Sequence, residues 1–155
     1  MAQTKPAAGP VSLLQLDNQL CFAVYGAAQA FTATYKPLLE PLGLTYPQYL
    51  AMLVLWEADD LTVTAIGERL GLDSGTLTPL LKRLEAAHLV RRTRSSEDER
   101  RVLIALTGQG QALREKAKTI PPAILSASGC SIVELSSLRK SLVALREQLN
   151  AAVGE

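Results

Sequence analysis

Two cysteines, Cys21 and Cys130, are the side chains in this sequence that are best suited to covalent chemistry. They are far apart in the chain. The amino-terminal residues lack the apolar segment of a signal peptide, so we expect a cytoplasmic protein. Two widely separated thiols in a reducing compartment do not form a framework of structural disulfides. The roles that remain open are inert thiols in the core, metal ligands and redox-active groups.

The sequence lacks the other residue patterns that are typical of enzymes and of cofactor-binding proteins. It contains no Ser/His/Asp set, no glycine-rich phosphate-binding loop and no Cys/His spacing that fits a metal site. The one histidine, His88, lies where a helix should end, and we interpret it as a cap residue rather than a catalytic group. We therefore expect a protein that is not an enzyme and that needs no cofactor or metal ion.

Charge is unevenly distributed along the chain. The formal net charge of the 155 residues is only +1. Basic side chains nevertheless outnumber acidic ones within residues 82–101, and the balance is reversed in the rest of the sequence. A local basic patch on a nearly neutral protein is typical of a DNA-binding surface. No apolar run approaches the ~20 residues of a membrane-spanning helix, so we expect double-stranded DNA, and not a membrane, as the partner.

The elements that must carry this patch begin with two short helices. Thr62 is suited to cap the first helix, which should end at Gly71, and Asp73 or Ser74 is suited to cap the second. Leucines at helical spacing turn one face of the second helix inward and leave small hydroxyl and basic side chains outside. Such a face fits the major groove, where it contacts bases and phosphates. The side chains predicted to contact DNA from this helix are Ser74, Thr76, Thr78, Lys82 and Arg83.

Two stretches rich in apolar and β-branched residues follow, at residues 89–94 and 101–106. We predict that they form strands joined by the charged tip 95–100. A helix-turn-helix followed by a basic hairpin is the pattern of a winged helix. We expect Arg94 to contact DNA, Arg100 to enter a narrow minor groove, and Asp98 to hold Arg100 in place. The alternative is a helical hairpin with a β-ribbon whose charged face is merely solvated.

Long helical patterns flank this unit, so the predicted fold is mainly α-helical with a small β-wing. We predict a disordered tail at residues 1–10 and a single domain at 11–155. Within the domain, the winged helix-turn-helix occupies about 45–107, and dimerisation helices occupy about 11–42 and 108–153. Pro121 and Pro122 should break the second helical region, and residues 126–129 are predicted to be a loop. The last helix carries a seam of leucines that packs within the chain or, as we favour, against a second copy. These leucines are Leu135, Leu138, Leu142, Leu145 and Leu149.

The order of these elements resembles the MarR family of winged-helix regulators. The matching residues are LTVTAIGERLGLDSGTLTPLLKRLE at 61–85, Asp98-Glu99-Arg100 in the wing, and Leu106-Thr107 with Gly110. Residues 20–25, 43–49 and 53–57 are similar, more narrowly, to the organic hydroperoxide resistance regulators. The resemblance implies a homodimeric repressor whose amino-terminal cysteine is oxidised by organic hydroperoxides. Its two-fold symmetry implies an operator with an inverted repeat, whose half-sites lie about one helical turn, ~34 Å, apart.

By the same resemblance, Cys21 is the sensing thiol, and Tyr35 and Tyr46 hydrogen-bond its thiolate. Tyrosine hydroxyls aimed at sulfur favour the charged, nucleophilic form. We expect Cys130 to resolve the oxidised Cys21 by forming a disulfide, with the bond linking the two subunits. The alternatives are two ordinary core tyrosines and two inert core thiols.

Two other functions compete with this interpretation. One is a repressor of the same fold that a small aromatic ligand releases from DNA, with both cysteines inert. The other is a thiol peroxidase, although the residues before Cys21 lack the proline and threonine that usually precede a peroxidatic cysteine.

Overall fold

The computed structural model describes residues 13–154, and the predicted tail at residues 1–10 lies outside them. Two 3₁₀ turns, at Leu16–Asn18 and Glu40–Leu42, flank the first helix. The helices and strands of the described residues are, in chain order, α1 (Leu20–Leu39), α2 (Tyr46–Glu57), β1 (Leu61–Thr62), α3 (Val63–Leu70), α4 (Ser74–Ala86), β2 (Val90–Arg94), β3 (Val102–Leu106), α5 (Gly108–Ala117), α6 (Ile120–Ser128) and α7 (Ile132–Val153).

The helix-turn-helix consists of α3 and α4 and begins and ends at the predicted residues. The Thr62 hydroxyl accepts a hydrogen bond from the Ala65 N–H at 3.1 Å, and the Asp73 carboxylate accepts one from the Thr76 N–H at 2.9 Å. Gly71 adopts the left-handed conformation, at φ +66°, that ends α3. The predicted inner face of α4 is buried and consists of Leu77, Leu80, Leu81 and Leu84.

A three-stranded antiparallel sheet in the order β1-β3-β2 packs beside these helices. β2 and β3 form the predicted hairpin, in which Val90 lies opposite Leu106 and Arg94 opposite Val102. The sequence did not predict β1, because two residues are too few to show the alternation of a strand. Leu61 pairs with Ile104, so β1 attaches the start of α3 to the central strand of the wing.

The core is centred on α2. This helix begins with a capping box in which Thr45 and Gln48 exchange hydrogen bonds between side chain and backbone. Met52 and Leu55 are buried and belong to the same hydrophobic core as the leucines of α4. At the end of α2, the Trp56 indole N–H donates a hydrogen bond of 3.0 Å to a backbone carbonyl of α5. The helix thus joins the amino-terminal part of the chain to the winged helix.

His88 ends α4 in an unusual backbone conformation. Its φ is +59°, in the left-handed region that favours glycine. The N–H of His88 bonds to the Glu85 carbonyl and that of Leu89 to the Leu84 carbonyl, which completes a Schellman cap. His88 therefore lies at the end of α4, as predicted, in a backbone conformation that is strained for a residue other than glycine.

The flanking helices differ from the predicted pattern at two places. α1 begins at Leu20 instead of near residue 11, and it passes through Pro37 before it ends. The loop predicted at residues 126–129 is wrong, because α6 continues to Ser128 and only Gly129, at φ +65°, leaves the helix. Pro121 and Pro122 do separate two helices, but they do so from within the first turn of α6, where proline needs no N–H partner.

The last helix, α7, packs little against the rest of the described protomer. A capping box between Ser131 and Glu134 starts it, as predicted. None of its residues is buried, and Leu138 and Leu142 keep 53% and 39% of their surface exposed. None of the helices within residues 13–154 is both long and apolar enough to cross a bilayer. The dimerisation boundaries, at about 11–42 and 108–153, stay a prediction.

Candidate functional site

The predicted DNA-contacting face of α4 lies on the surface. Ser74, Thr76, Lys82 and Arg83 are exposed, and Thr78 is half-buried. Their positions follow from the leucines on the opposite side of the helix, which bury α4 against α2. The face offers hydroxyl groups near the amino end of the helix and two positive charges toward its carboxyl end. Such a surface is able to contact both base edges and phosphates.

Backbone hydrogen bonds give the wing a defined tip. The Asp98 carboxylate accepts a hydrogen bond from the Arg100 N–H at 3.0 Å, and the Asp98 carbonyl accepts one from the Arg101 N–H at 2.9 Å. The Ser95 N–H closes the turn on the Arg101 carbonyl at 2.9 Å. Arg100 is exposed at this tip, and Arg94 is exposed on β2. Asp98 therefore orders the backbone beneath Arg100 and leaves its guanidinium toward solvent.

Both cysteines are exposed free thiols. Cys21 lies in the first turn of α1, and Cys130 lies in the turn between α6 and α7, directly before the Ser131 cap. The Cys130 N–H donates to the Ser128 hydroxyl at 3.2 Å, and its thiol contacts the Ser128 carbonyl at 3.5 Å. Neither thiol belongs to the hydrophobic core of the protomer, so burial within the chain does not protect them from oxidants.

Tyr35 and Tyr46 come together at the other end of α1. Their ring centroids are 4.7 Å apart, and Tyr49 lies 5.8 Å from Tyr35. Partial burial, followed by the neighbouring Tyr46 and Tyr49 hydroxyls, raises the pKa of Tyr35 to about 12. The Tyr35 hydroxyl is therefore protonated, and available as a donor, at every physiological pH.

Within one protomer the tyrosines do not reach Cys21. Tyr35 and Cys21 belong to the same continuous helix, and the α1 turns between them span roughly 20 Å at 1.5 Å per residue. A hydrogen bond between the Tyr35 hydroxyl and the Cys21 sulfur within one chain is excluded by this length. The predicted contact therefore stays a prediction that only a second subunit is able to fulfil.

An open groove of about 860 Å³ runs between α1 and the start of α2. The Tyr25 hydroxyl, on its edge, accepts a hydrogen bond of 3.0 Å from the Gln29 side chain. Sequence reasoning missed this groove, because its walls come from two elements whose mutual packing no local pattern reveals. Its lining residues include Tyr25, Ala28, Gln29, Thr32, Lys36, Leu39, Leu44 and Tyr46.

The described residues contain no cluster of His, Cys, Asp and Glu side chains that is able to hold a metal ion. A capped helix-turn-helix, a basic recognition helix and a hairpin with a fixed tip together define a winged-helix DNA-binding protein. Two exposed cysteines lie outside that unit.

Comparison with known proteins identifies a family within this class of DNA-binding proteins. Residues 33–118 match a family described as transcriptional regulator SarA/Rot. The chain is 53% identical to the organic hydroperoxide resistance transcriptional regulator of Bacillus subtilis (strain 168), over 88% of this chain and 93% of that protein. It belongs to the MarR family of winged-helix transcriptional regulators and, within it, to the organic hydroperoxide resistance type.

Solved structures of AbfR from Staphylococcus epidermidis have the same fold. Reduced AbfR bound to DNA matches with a TM-score of 0.75 at 36% identity, covering 89% of this chain and 94% of that one. Disulfide-formed AbfR matches with a TM-score of 0.60 at 39% identity, covering 84% and 91%. By TM-score, the present chain is thus more similar to reduced, DNA-bound AbfR than to disulfide-formed AbfR.

Proposed function

We propose that this protein is a homodimeric repressor that binds operator DNA when reduced and releases it after an organic hydroperoxide oxidises Cys21. The observation that carries the proposal is an exposed thiol on α1 of a winged-helix chain that is 53% identical to an organic hydroperoxide resistance regulator. The DNA-bound structure of reduced AbfR, which has the same fold at 36% identity, supports DNA binding by this chain.

Dimer formation accounts for the apolar surface of the terminal helices. Leu20, Phe22 and Phe31 on α1 are exposed in the protomer, as are Leu138 and Leu142 on α7. Removing such a surface from water is favourable and is a driving force for association. A two-fold axis through these helices would present two copies of α4 to successive turns of the major groove, ~34 Å apart.

The dimer also completes the sensing site. Because one α1 holds Cys21 and Tyr35 too far apart for contact, the hydroxyls that bond the Cys21 sulfur belong to the partner subunit's Tyr35 and the partner subunit's Tyr46. The raised pKa of Tyr35 keeps its hydroxyl a donor. Hydrogen bonds to sulfur favour the thiolate, which is the nucleophile toward the peroxide O–O bond.

The organic hydroperoxide is the only oxidant that the switch requires. The Cys21 thiolate attacks the terminal oxygen of the hydroperoxide and breaks the O–O bond. The sulfur takes the hydroxyl and becomes a sulfenic acid, and the alkoxide leaves and takes a proton from solvent to become an alcohol. The Cys130 thiol then condenses with the sulfenic acid to give a disulfide and water. This bond requires the two Cα atoms to come within roughly 7 Å of each other. We expect the required movement at the α6–α7 turn to rotate the winged units and spoil their spacing on DNA.

Non-reducing gel electrophoresis tests the pairing of the two cysteines. After treatment with cumene hydroperoxide, wild type should run as a covalent dimer, which dithiothreitol returns to the monomer. Cys21→Ser and Cys130→Ser should each run as monomers. A covalent dimer in either variant would show that one cysteine is sufficient to link the subunits, which would contradict Cys21–Cys130 as the required pair.

A mobility-shift assay on the promoter of the protein's own gene tests the function as a whole. Cumene hydroperoxide should release wild type from this DNA, and dithiothreitol should restore binding. The groove beside Tyr25 and Tyr46 supports one second candidate, a repressor released by a small aromatic ligand. Release by salicylate-like compounds, without a response to peroxide, would favour that candidate. Repeated turnover of peroxide, without DNA release, would indicate a thiol peroxidase.

A further inference from the structure

We propose that Asp73 is a positioning residue that makes the Thr76 hydroxyl a hydrogen-bond acceptor toward DNA, so that α4 selects a base with an amino group in the major groove. This inference rests on the proposed binding of α4 in that groove. It goes further because it states which kind of base the Thr76 side chain recognises.

Two hydrogen bonds join the Asp73 carboxylate to Thr76. One oxygen of the Asp73 carboxylate accepts the Thr76 N–H at 2.9 Å, and the other accepts the Thr76 hydroxyl at 3.0 Å. Gly75 provides the space for this arrangement, because a Cβ at that position would lie 3.0 Å from the Asp73 Oδ1. The hydroxyl of an exposed side chain is thus held in one orientation by its own helix cap.

The direction of the hydroxyl bond follows from the charge of Asp73. The backbone and side-chain hydrogen bonds from Thr76 lower the pKa of this carboxyl group. Asp73 is therefore ionised at neutral pH, and an ionised carboxylate only accepts. A threonine hydroxyl has a single proton, so that proton is committed to Asp73. What remains for a DNA base is the lone pairs of Thr76 Oγ1, with a negative charge close behind them.

Acceptors of this kind distinguish among the bases. In the major groove, adenine N6 and cytosine N4 present amino donors, whereas guanine O6 and N7 and thymine O4 present acceptors. The Thr76 oxygen attracts an amino group and repels a carbonyl oxygen or a ring nitrogen. The Asp73 charge acts in the same sense, since both groups disfavour an electronegative atom at the contacted base.

The neighbouring hydroxyls provide a contrast. Within the described residues, neither the Ser74 nor the Thr78 hydroxyl makes a hydrogen bond to another protein group, so each is free to donate or accept. They adapt to either kind of base edge. Of these three hydroxyls on α4, Thr76 alone is fixed as an acceptor by its surroundings.

Binding to a panel of duplexes tests this inference. The parent duplex is one that reduced, full-length wild type selects from a random-sequence library. Each base pair of a half-site is then replaced in turn, and the Kd is measured by fluorescence anisotropy at fixed salt. At one position, exchanging the amino-bearing base for a keto base should weaken wild-type binding about five-fold, the worth of a single hydrogen bond.

Variants of Thr76, Asp73 and Ser74 test whether Thr76 contacts the base at that position. Thr76→Val should bind both duplexes alike, whereas Thr76→Ser should keep the preference. Asp73→Asn keeps the helix cap but frees the Thr76 hydroxyl to donate, so the preference should shrink or reverse. Ser74→Ala should retain it. A preference that survives in Thr76→Val, or that is unchanged in Asp73→Asn, would overturn the inference.

Lys82→Ala separates failure of this inference from failure of the proposed function. As a phosphate contact, Lys82 should support binding to every duplex equally, and its loss should reduce the salt dependence. If Lys82→Ala behaves in this way, but no base preference of wild type depends on Thr76, only the inference is contradicted. If wild type selects no sequence at all, both the inference and the proposed function are contradicted.

Discussion

Trp56, near the end of α2, and Gly110, in the first turn of α5, are joined by a hydrogen bond of 3.0 Å from the indole N–H to the carbonyl oxygen. Gly110 also lies against the start of the wing, where the Leu89 carbonyl approaches it closely. These contacts of Gly110 with Trp56 and Leu89, which we call the Gly110 joint, connect the core helix α2, the wing and the helix α5 that leads toward Cys130. We expect movement at Cys130 to reach the wing along this path.

The close approach at Gly110 predicts a large effect of one added methyl group. A Cβ there would lie 2.0 Å from the Leu89 carbonyl oxygen, which is backbone and cannot move aside. Gly110→Ala should lower the free energy of unfolding by about 3 kcal/mol, as overpacking does in a rigid site. Gly108→Ala, in the same helical turn but with open space around it, is the matched control and should change little. Urea unfolding measures both; equal stability of the two variants would contradict the proposed joint.

The raised pKa of Tyr35 predicts a loss of stability at high pH. Burial raises the folded-state pKa to about 12 from the ordinary 10.0, so the folded chain holds this proton more tightly than the unfolded chain. Below pH 10 both states are protonated and the group has no effect on the pH dependence. Between pH 10 and 12 the unfolded state loses the proton first, and the stability falls. Tyr35→Phe should reduce that slope in thermal unfolding. A slope unchanged by Tyr35→Phe would contradict the assignment.

The exposed leucines of α7 predict a dimer that charge disrupts. Leu142 and Leu145 lie outside the core of the protomer, so replacing both with Asp should leave the fold intact and give monomers. Ala144→Asp, on another face of the same helix, is the control and should remain dimeric. Sedimentation velocity distinguishes these outcomes, and circular dichroism checks the fold. A folded Leu142→Asp/Leu145→Asp variant that still sediments as a dimer would contradict a dimer interface on α7.

The ordered wing tip predicts that Arg100 contributes to binding and not to folding. Its side chain is exposed while Asp98 holds its backbone. Arg100→Ala should weaken operator binding about tenfold, or roughly 1.4 kcal/mol, with no change in Tm. The neighbouring Glu99→Ala removes a negative charge instead and should not weaken binding. Operator affinity equal to wild type in Arg100→Ala would remove the wing from the DNA interface.

Local signals were sufficient to predict the helix-turn-helix. Cap residues such as Thr62 and Asp73 act on their own first turns, and Gly71 acts on its own φ, so the sequence alone locates these helix ends. The loop predicted at 126–129 failed for a related reason. Small polar residues are common in loops, but here Ser128 bonds back to the Leu125 carbonyl and the helix continues until Gly129.

Features that depend on contacts between distant parts of the chain could not be predicted from the sequence. The strand at Leu61–Thr62 exists only because β3 lies beside it, and the groove near Tyr25 depends on how α1 packs on α2. The family resemblance named Cys21, Tyr35 and Tyr46 as partners, but it did not specify between which chains. The length of α1 excludes the contact within one subunit, because it keeps Cys21 and Tyr35 apart, so the contact that we propose lies between subunits.

The most direct test of Cys21 as the sensor is DNA release by its serine variant. Operator-bound wild type, Cys21→Ser and Cys130→Ser are each treated with cumene hydroperoxide and followed by mobility shift. Wild type should leave the DNA, and Cys21→Ser should stay bound at every peroxide concentration that releases wild type. Cys130→Ser, which retains the sensing thiol, should still respond but should not recover fully with dithiothreitol, because its sulfenic acid oxidises further. If Cys21→Ser leaves the DNA as readily as wild type, Cys21 is not the sensor.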